Sequence, residues 1–222
     1  MLPAPPASGY VRDDAAVAAF SCRSLVSKGT IVFGAYVLRP AAAADLTAIT
    51  AIYEEEVLTG TATYELTPPG EAQMARRFDE MTAKRYPYLV AEGEGGTVLG
   101  YAYAGGYRAR PAYNWLVEDS IYLAPAARGR GVGTALLARL LEECERLGFR
   151  QMLAVIGDGG NQGSIGLHRK AGFRMIGTMP ATGLKFGRWI DTVLMQRPLG
   201  EGADTIPDKS AYPGDFGAAR SV

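Results

Sequence analysis

Residues Arg128 to Gly133 read RGRGVG. A strand-like run, LVEDSIYL, leads into them, and a helical pattern leaves them, with Val132, Ala135, Leu136, Leu140, Cys144 and Leu147 recurring on one face. A strand, a glycine loop and a long helix in that order leave few folds open. The glycines free backbone N–H groups to point inward, the helix N-terminus adds positive partial charge, and Arg128 and Arg130 add full charges. The loop reads as a diphosphate cradle. It is not the dinucleotide fingerprint, because the third glycine is replaced by Thr134 in one register and by Leu136 in the other. It lacks the lysine of a nucleotide P-loop. The plainer alternative is a basic turn that only caps a helix.

Composition narrows the partners. Of 222 residues, 48% are hydrophobic and 21% charged, enough for a packed core. The formal net charge is zero, which does not support a basic surface for nucleic acid but leaves local basic patches open. Two isolated cysteines, Cys22 and Cys144, make no disulfide framework and fit a reducing compartment. With His168 the only histidine, no metal site is expected. No apolar run reaches membrane-spanning length, and no secretory signal is visible, so a cytoplasmic protein with no membrane partner is expected.

Residues 1–34 begin Pro/Ala-rich and read as a partly flexible N-terminal extension, and residues 200–222 as a flexible, Gly/Asp/Pro-rich tail. The domain proper is expected over 35–199. One strand is read near TIVFGAYVLR, residues 30–39. A helix follows that Asp45 can cap, with Leu46, Ile49, Ile52, Tyr53 and Val57 on its apolar face. A second helix opens at TPPGEAQ, with Thr67 as cap and Pro68 in the first turn. PYLVAE and VLGYAYAGGY, joined by GEGG, form a hairpin. After LVEDSIYL and the long helix, which Gly148 ends, come the strand QMLAVI, a helix in NQGSIGLHRKAGF, and the strands FRMIGT and IDTVLMQR. The fold class is α/β (α+β): a mixed, mostly antiparallel central sheet flanked by helices.

The motif Arg128-Gly129-Arg130-Gly131-Val132-Gly133 resembles the R/Q-x-x-G-x-G/A diphosphate-binding motif of the GNAT acetyltransferase superfamily. GGYRARPAYNW, VEDSIYLAPAARGRGVG, and SIGLHRKAGF with LKFGRWID are similar to the phosphinothricin and methionine sulfoximine acetyltransferase family. The similarity covers about 36–198. It implies a GNAT acyltransferase fold, acetyl-CoA as cosubstrate, a small amino-acid-like amine and a homodimer. The activity implied is acetyl transfer to an α-amine by direct attack in a ternary complex. A peptide or protein N-terminal acetyltransferase and a non-catalytic acetyl-CoA-binding sensor are the alternatives.

That chemistry needs a base, because an ammonium has no lone pair. Glu118 is the candidate. Alternation puts Glu118, Ser120 and Tyr122 on one face of their strand and Val117, Asp119, Ile121 and Leu123 on the other. Glu118 then lies roughly 15 Å along the strand from the cradle, at about 3.3 Å per residue. In a partly apolar cleft its pKa rises, which suits proton acceptance near neutrality. A strand-edge Glu in a surface ion pair is the alternative. The resemblance implies that Glu118 is the base, that the backbone of Ile121, Tyr122 and Leu123 contacts the thioester and the pantetheine arm, and that Asn161 and Ser164 contact that arm. Asn161 and Ser164 are also good helix caps. His168 stands where many members carry a tyrosine that protonates the departing thiolate. It serves there as donor, or simply as a packed helix residue. Arg108 and Arg110 are candidates to fork a substrate carboxylate, as the resemblance implies for an arginine after this aromatic, or else are plain surface charges. Tyr64 matches a pocket aromatic or is a core one. Lys185, Phe186 and Arg188 close the pocket from a loop.

Overall fold

A computed structural model describes residues 26–27, 30–33 and 35–208. Nine strands occur among them: β1 Val26–Ser27, β2 Thr30–Phe33, β3 Tyr36–Pro40, β4 Tyr88–Gly93, β5 Val98–Gly106, β6 Leu116–Leu123, β7 Gln151–Gly157, β8 Arg174–Lys185 and β9 Arg188–Pro198. They form one sheet in the order β1-β2-β3-β4-β5-β6-β7-β9-β8. Neighbours pair antiparallel except β6 and β7, which run parallel. A parallel pair needs a crossover. Helix α3, Val132–Arg146, supplies it.

Helices cover both faces. On one side α3 buries Leu136, Leu137, Leu140 and Cys144 against Ala102, Ala104 and Val117. On the other, α1 (Leu46–Thr59) and α2 (Glu71–Ala83) bury Ile49, Tyr53, Val57, Met74 and Phe78 against Tyr88, Tyr101 and Tyr122. The period-2 alternation of β5 sorts its residues accordingly. Small Ala102 and Ala104 let α3 approach closely, while Tyr101 fills the wider α1/α2 side. Each fully buried leucine of α3 contributes about 1.5–3 kcal/mol of burial. Gly148, at φ 89°, ends the segment in the left-handed region, where a Cβ is costly. Helix α4, Gln162–Lys170, completes the α3 layer through Ile165.

Several local expectations are corrected. The strand read over 30–39 is two antiparallel strands, with Phe33 opposite Tyr36. Asp45 does not cap α1. Its Oδ2 accepts from Ala42 N at 2.8 Å and pairs with Arg39, so it caps the turn before the helix. Thr67 is no cap either: α2 starts at Glu71 after Gly70. Pro69 forces Pro68 out of the helical region, since a residue before proline is pushed extended. FRMIGT is only the start of β8, which runs on to Lys185, so LKFGRW is a hairpin tip rather than a free loop.

Of the extension read over 1–34, residues 1–25, 28, 29 and 34 lie outside the described residues, as do residues 209–222 of the tail. Residues 26–27 and 30–33 extend the sheet beyond β3. After β9 the chain folds back, with Gly202 N donating to Leu199 O at 2.9 Å and Arg150 Nη1 to Thr205 Oγ1 at 2.9 Å. Among the described residues no helix is long and apolar enough to cross a membrane.

Candidate active site

The parallel pairing of β6 with β7 stops at Asp119 and Ala154, although β6 continues to Leu123 and β7 to Gly157. Beyond that point β6 stays paired to β5 and β7 to β9. The sheet therefore opens like a wedge, and the β7-facing backbone of Ser120–Leu123 is left out of the ladder. A cleft of about 260 Å³ occupies the opening, lined by Glu118, Asp119, Ile121, Val155 and Ile156 among others. Backbone donors and acceptors facing such an opening suit a peptide-like ligand that adds to the strand edge.

The parity expected for β6 is present. Tyr122 packs on the α1/α2 side, and Val117, Ile121 and Leu123 pack on the α3 side. Glu118 sits opposite Gly105 of β5, on an interior strand rather than an edge. Burial pushes its carboxyl up to about 7, and the neighbouring charge of Asp119 adds to the rise. A carboxylate held near neutrality in a cleft is suited to take a proton.

Asp119 faces the other way and is buried. Its Oδ2 lies 3.0 Å from Nε2 of His168 on α4. The other ring nitrogen, Nδ1, lies 2.8 Å from Ser164 O. Two acceptors for two ring nitrogens favour the imidazolium. Burial lowers the His168 pKa, but the Asp119 bond and charge and the Ser164 carbonyl outweigh it, and the net shift is upward. His168 lines the cleft, yet both nitrogens are engaged by the protein. Sequence reading passed over Asp119 as a partner because 49 positions separate it from His168. Its one visible signal was its place beside Glu118.

The glycine loop has the geometry of a cradle. Gly129 and Gly131 have φ of 73° and 80°, conformations that side chains resist, and nothing lies within 4 Å of a Cβ built at either. Gly133 packs against Leu123, where a Cβ would meet Leu123 Cδ1 at 3.3 Å. The first α3 bond runs from Ala135 N to Gly131 O, and no side chain caps the helix. The amides of Val132, Gly133 and Thr134 thus point outward, unused by the helix. Arg128 and Arg130 flank them on the exposed side. Donors without acceptors beside two guanidinium groups fit a diphosphate.

Other expected residues divide. Asn161 and Ser164 line the cleft. Asn161 also caps α4, its Oδ1 accepting from Ser164 N at 3.1 Å. Tyr64 lines the cleft and is not a core residue; its hydroxyl bonds to Thr192 Oγ1. Arg108 and Arg110 are exposed on the loop after β5 and do not line the cleft. Arg108 instead lies over the Tyr107 ring at 4.9 Å. Lys185 is buried, with Nζ donating to Thr63 O at 3.0 Å, so it tethers the wall rather than closing the pocket from a loop. Phe186 is exposed at the hairpin tip, and Arg188 pairs with Asp158. Of this wall Tyr64 was expected, while Ala62 and Thr63 were not. The only sequence signal for those two was their position between two helices.

The Acetyltransferase (GNAT) family model matches residues 46–173. The phosphinothricin N-acetyltransferase of Alcaligenes faecalis is 52% identical over 164 residues, spanning 74% of this chain and 83% of that protein. The L-methionine sulfoximine/L-methionine sulfone acetyltransferase of Pseudomonas aeruginosa is 43% identical over 162 residues, spanning 73% and 94%. The crystal structure of a GNAT superfamily phosphinothricin acetyltransferase from Sinorhizobium meliloti in complex with AcCoA is similar with a TM-score of 0.78. At 59% identity it covers 81% of this chain and 96% of its own.

Proposed function

The chain belongs to the acetyltransferase (GNAT) family, and on that premise we propose that it acetylates the α-amine of a small amino acid or analogue. Phosphinothricin, methionine sulfoximine and methionine sulfone define the substrate type. Acetyl-CoA, when bound, supplies an activated acetyl thioester. The observation that carries the reading is the desolvated Glu118 carboxyl, at the head of a wedge whose other end is the RGRGVG cradle.

The amides of the α3 N-terminus, with Arg128 and Arg130, hold the diphosphate. The unpaired β6 backbone from Ile121 to Leu123 receives the pantetheine arm as an added strand, with Asn161 and Ser164 on the opposite side of the cleft. This aims the acetyl end toward Glu118. Glu118 takes a proton from the amine at its carboxylate, directly or through one water. His168, held by Asp119 and Ser164, keeps positive charge in the cleft wall, where a departing thiolate develops negative charge. Cys144 is buried in the α3 core, its thiol pushed up by burial, so it does not carry the acetyl group. Direct attack in a ternary complex follows. Arg108, at the start of the loop leaving β5, is the candidate carboxylate partner, with Arg110 beside it.

The wall at Ala62–Tyr64, tied to β8 and β9, limits the cleft to a small amine and disfavours a protein N-terminus. Edge strand β8 exposes Met175, Ile176, Met179 and Leu184, with Phe186 and Trp189 close by on the hairpin tip and β9. A long apolar edge of this kind is covered in a stable protein, and a second copy of the chain is the occupant we assign. Light scattering on the purified protein tests this, and a monomer at micromolar concentration would refute it. A reducing cytoplasm is the compartment the reading requires.

The deciding experiment is thiol release from acetyl-CoA with phosphinothricin, methionine sulfoximine, methionine sulfone and a short peptide as acceptors. Turnover with the three small amines, and little with the peptide, is expected. Peptide acetylation at equal or greater efficiency would favour the N-terminal acetyltransferase, and coenzyme A binding without turnover of any amine would favour a sensor.

A further inference from the structure

The chain leaves α1 at Gly60 and forms one wall of the cleft. Each residue of that wall is tied to another part of the fold. Thr61 Oγ1 lies 3.4 Å from Asp158 Oδ2, after β7. Ala62 N donates to Glu56 Oε1 on α1 at 2.9 Å. Thr63 O accepts from Lys185 Nζ at 3.0 Å, and Thr63 Oγ1 lies 2.8 Å from Tyr53 OH. Tyr64 OH bonds to Thr192 on β9. Glu56 alone among these anchors also touches the cradle: its Oε2 accepts from Arg128 Nη2 at 3.2 Å.

From this we infer that Glu56 is a positioning residue that transmits diphosphate occupancy of the RGRGVG cradle to the wall of the amine's cleft. The inference rests on the acetyl-CoA reading above. The Glu56 side chain is only 13% exposed, whereas that of Arg128 is 52% exposed. The carboxylate is therefore fixed and the guanidinium free to settle. Gly60 is what lets the carboxylate lie there, since a Cβ at that position would fall 1.8 Å from Glu56 Oε1. One Arg128 nitrogen donates to Glu56, and the rest of the planar fork is available to a diphosphate. A bound diphosphate then holds Arg128 as a bridge, Arg128 holds Glu56, and Glu56 holds the Ala62 amide. The wall becomes firmer where the amine must sit, so the cofactor prepares the second site before the amine arrives.

Hydrogen exchange with coenzyme A as probe tests this without any amine. At saturation, peptides covering residues 60–65 of the wild type should exchange about two- to fivefold more slowly, the range that one exposed ion pair can supply. Glu56→Gln keeps an acceptor for Ala62 N and removes the charge facing Arg128. It should bind coenzyme A, by calorimetry, yet show no added protection at 60–65. Arg128→Ala, saturated with coenzyme A at higher concentration, should lose the same protection from the other end of the bridge. The inference is overturned if wild type binds coenzyme A without protecting the wall, or if Glu56→Gln keeps full protection. A wild type that binds no coenzyme A overturns the acetyl-CoA reading as well.

Discussion

His168 Nε2 lies 3.0 Å from Asp119 Oδ2, and the two side chains are 5% and 3% exposed. They come from α4 and β6 and meet in the wall of the cleft. Breaking a buried pair by removing one partner costs about 3–5 kcal/mol, because the other charge is left uncompensated. Asp119→Asn should destabilise the protein by that order at pH 6. The His168 pKa is raised in the folded state, so the pair's contribution is full below the unfolded value of 6.5 and fades as pH rises through the folded one. Chemical denaturation at pH 6 and pH 9 should show the larger penalty at pH 6. An equal penalty at both would mean that His168 is neutral in the native protein.

Glu118 also favours the folded state at low pH, but through burial rather than through a partner. Burial raises its pKa to about 7, so its ionised form is disfavoured in the folded state. Its contribution is therefore fully present below the ordinary carboxylate value of 4.5 and is lost as pH rises through about 7. Glu118→Gln should leave stability unchanged at pH 4 and raise it by about 3 kcal/mol at pH 8. Turnover should fall by about 10²–10⁴-fold. In the wild type, kcat/KM should climb with pH to a plateau above about 7. Full turnover in Glu118→Gln removes the base assignment.

Gly157 ends β7 where the wall comes closest. A Cβ there would lie 2.0 Å from Thr61 O, a backbone atom that cannot rotate away. Gly157→Ala must therefore displace the wall, at an overpacking cost of about 1–3 kcal/mol. The KM for phosphinothricin should rise about tenfold or more, while coenzyme A affinity, set by the cradle, stays within about twofold. Titration calorimetry alongside initial rates separates the two, and an unchanged amine KM would show that the wall does not touch the substrate.

Arg108 stands on the loop after Gly106, the end of β5, three residues beyond Gly105, the cross-strand partner of Glu118. If it forks the substrate carboxylate, Arg108→Ala loses a charge-assisted bond worth about 1.5–3 kcal/mol. That corresponds to a rise in KM of about 10–100-fold for free amino acids, with kcat nearly unchanged, because the carboxylate does not change during the reaction. Amidating the carboxylate should mimic the variant with the wild-type enzyme. A fall in kcat with KM unchanged would point to a role near the reacting atoms instead.

Much of the fold was written locally. The recurrence of Leu136, Leu140 and Cys144 requires a helix. Gly129 and Gly131 mark positions of positive φ, and strict alternation in LVEDSIYL sends Glu118 and Asp119 to opposite faces. These features depend on neighbours within a few positions, where backbone geometry and side-chain period act alone. Caps and hairpins at Asp45, Thr67 and residues 30–39 were less legible, because several local solutions compete and packing selects one. The Asp119–His168 pair, the burial of Lys185 and the staples that hold the wall at Thr61–Tyr64 were not legible at all. Each joins elements far apart in the chain, brought together by the insertion of β9 between β7 and β8 and by the wedge where β6 and β7 part. The sequence alone determined which groups the protein carries and which face each presents. Only the tertiary structure decided which of them meet, because that depends on how whole layers pack and not on any local preference.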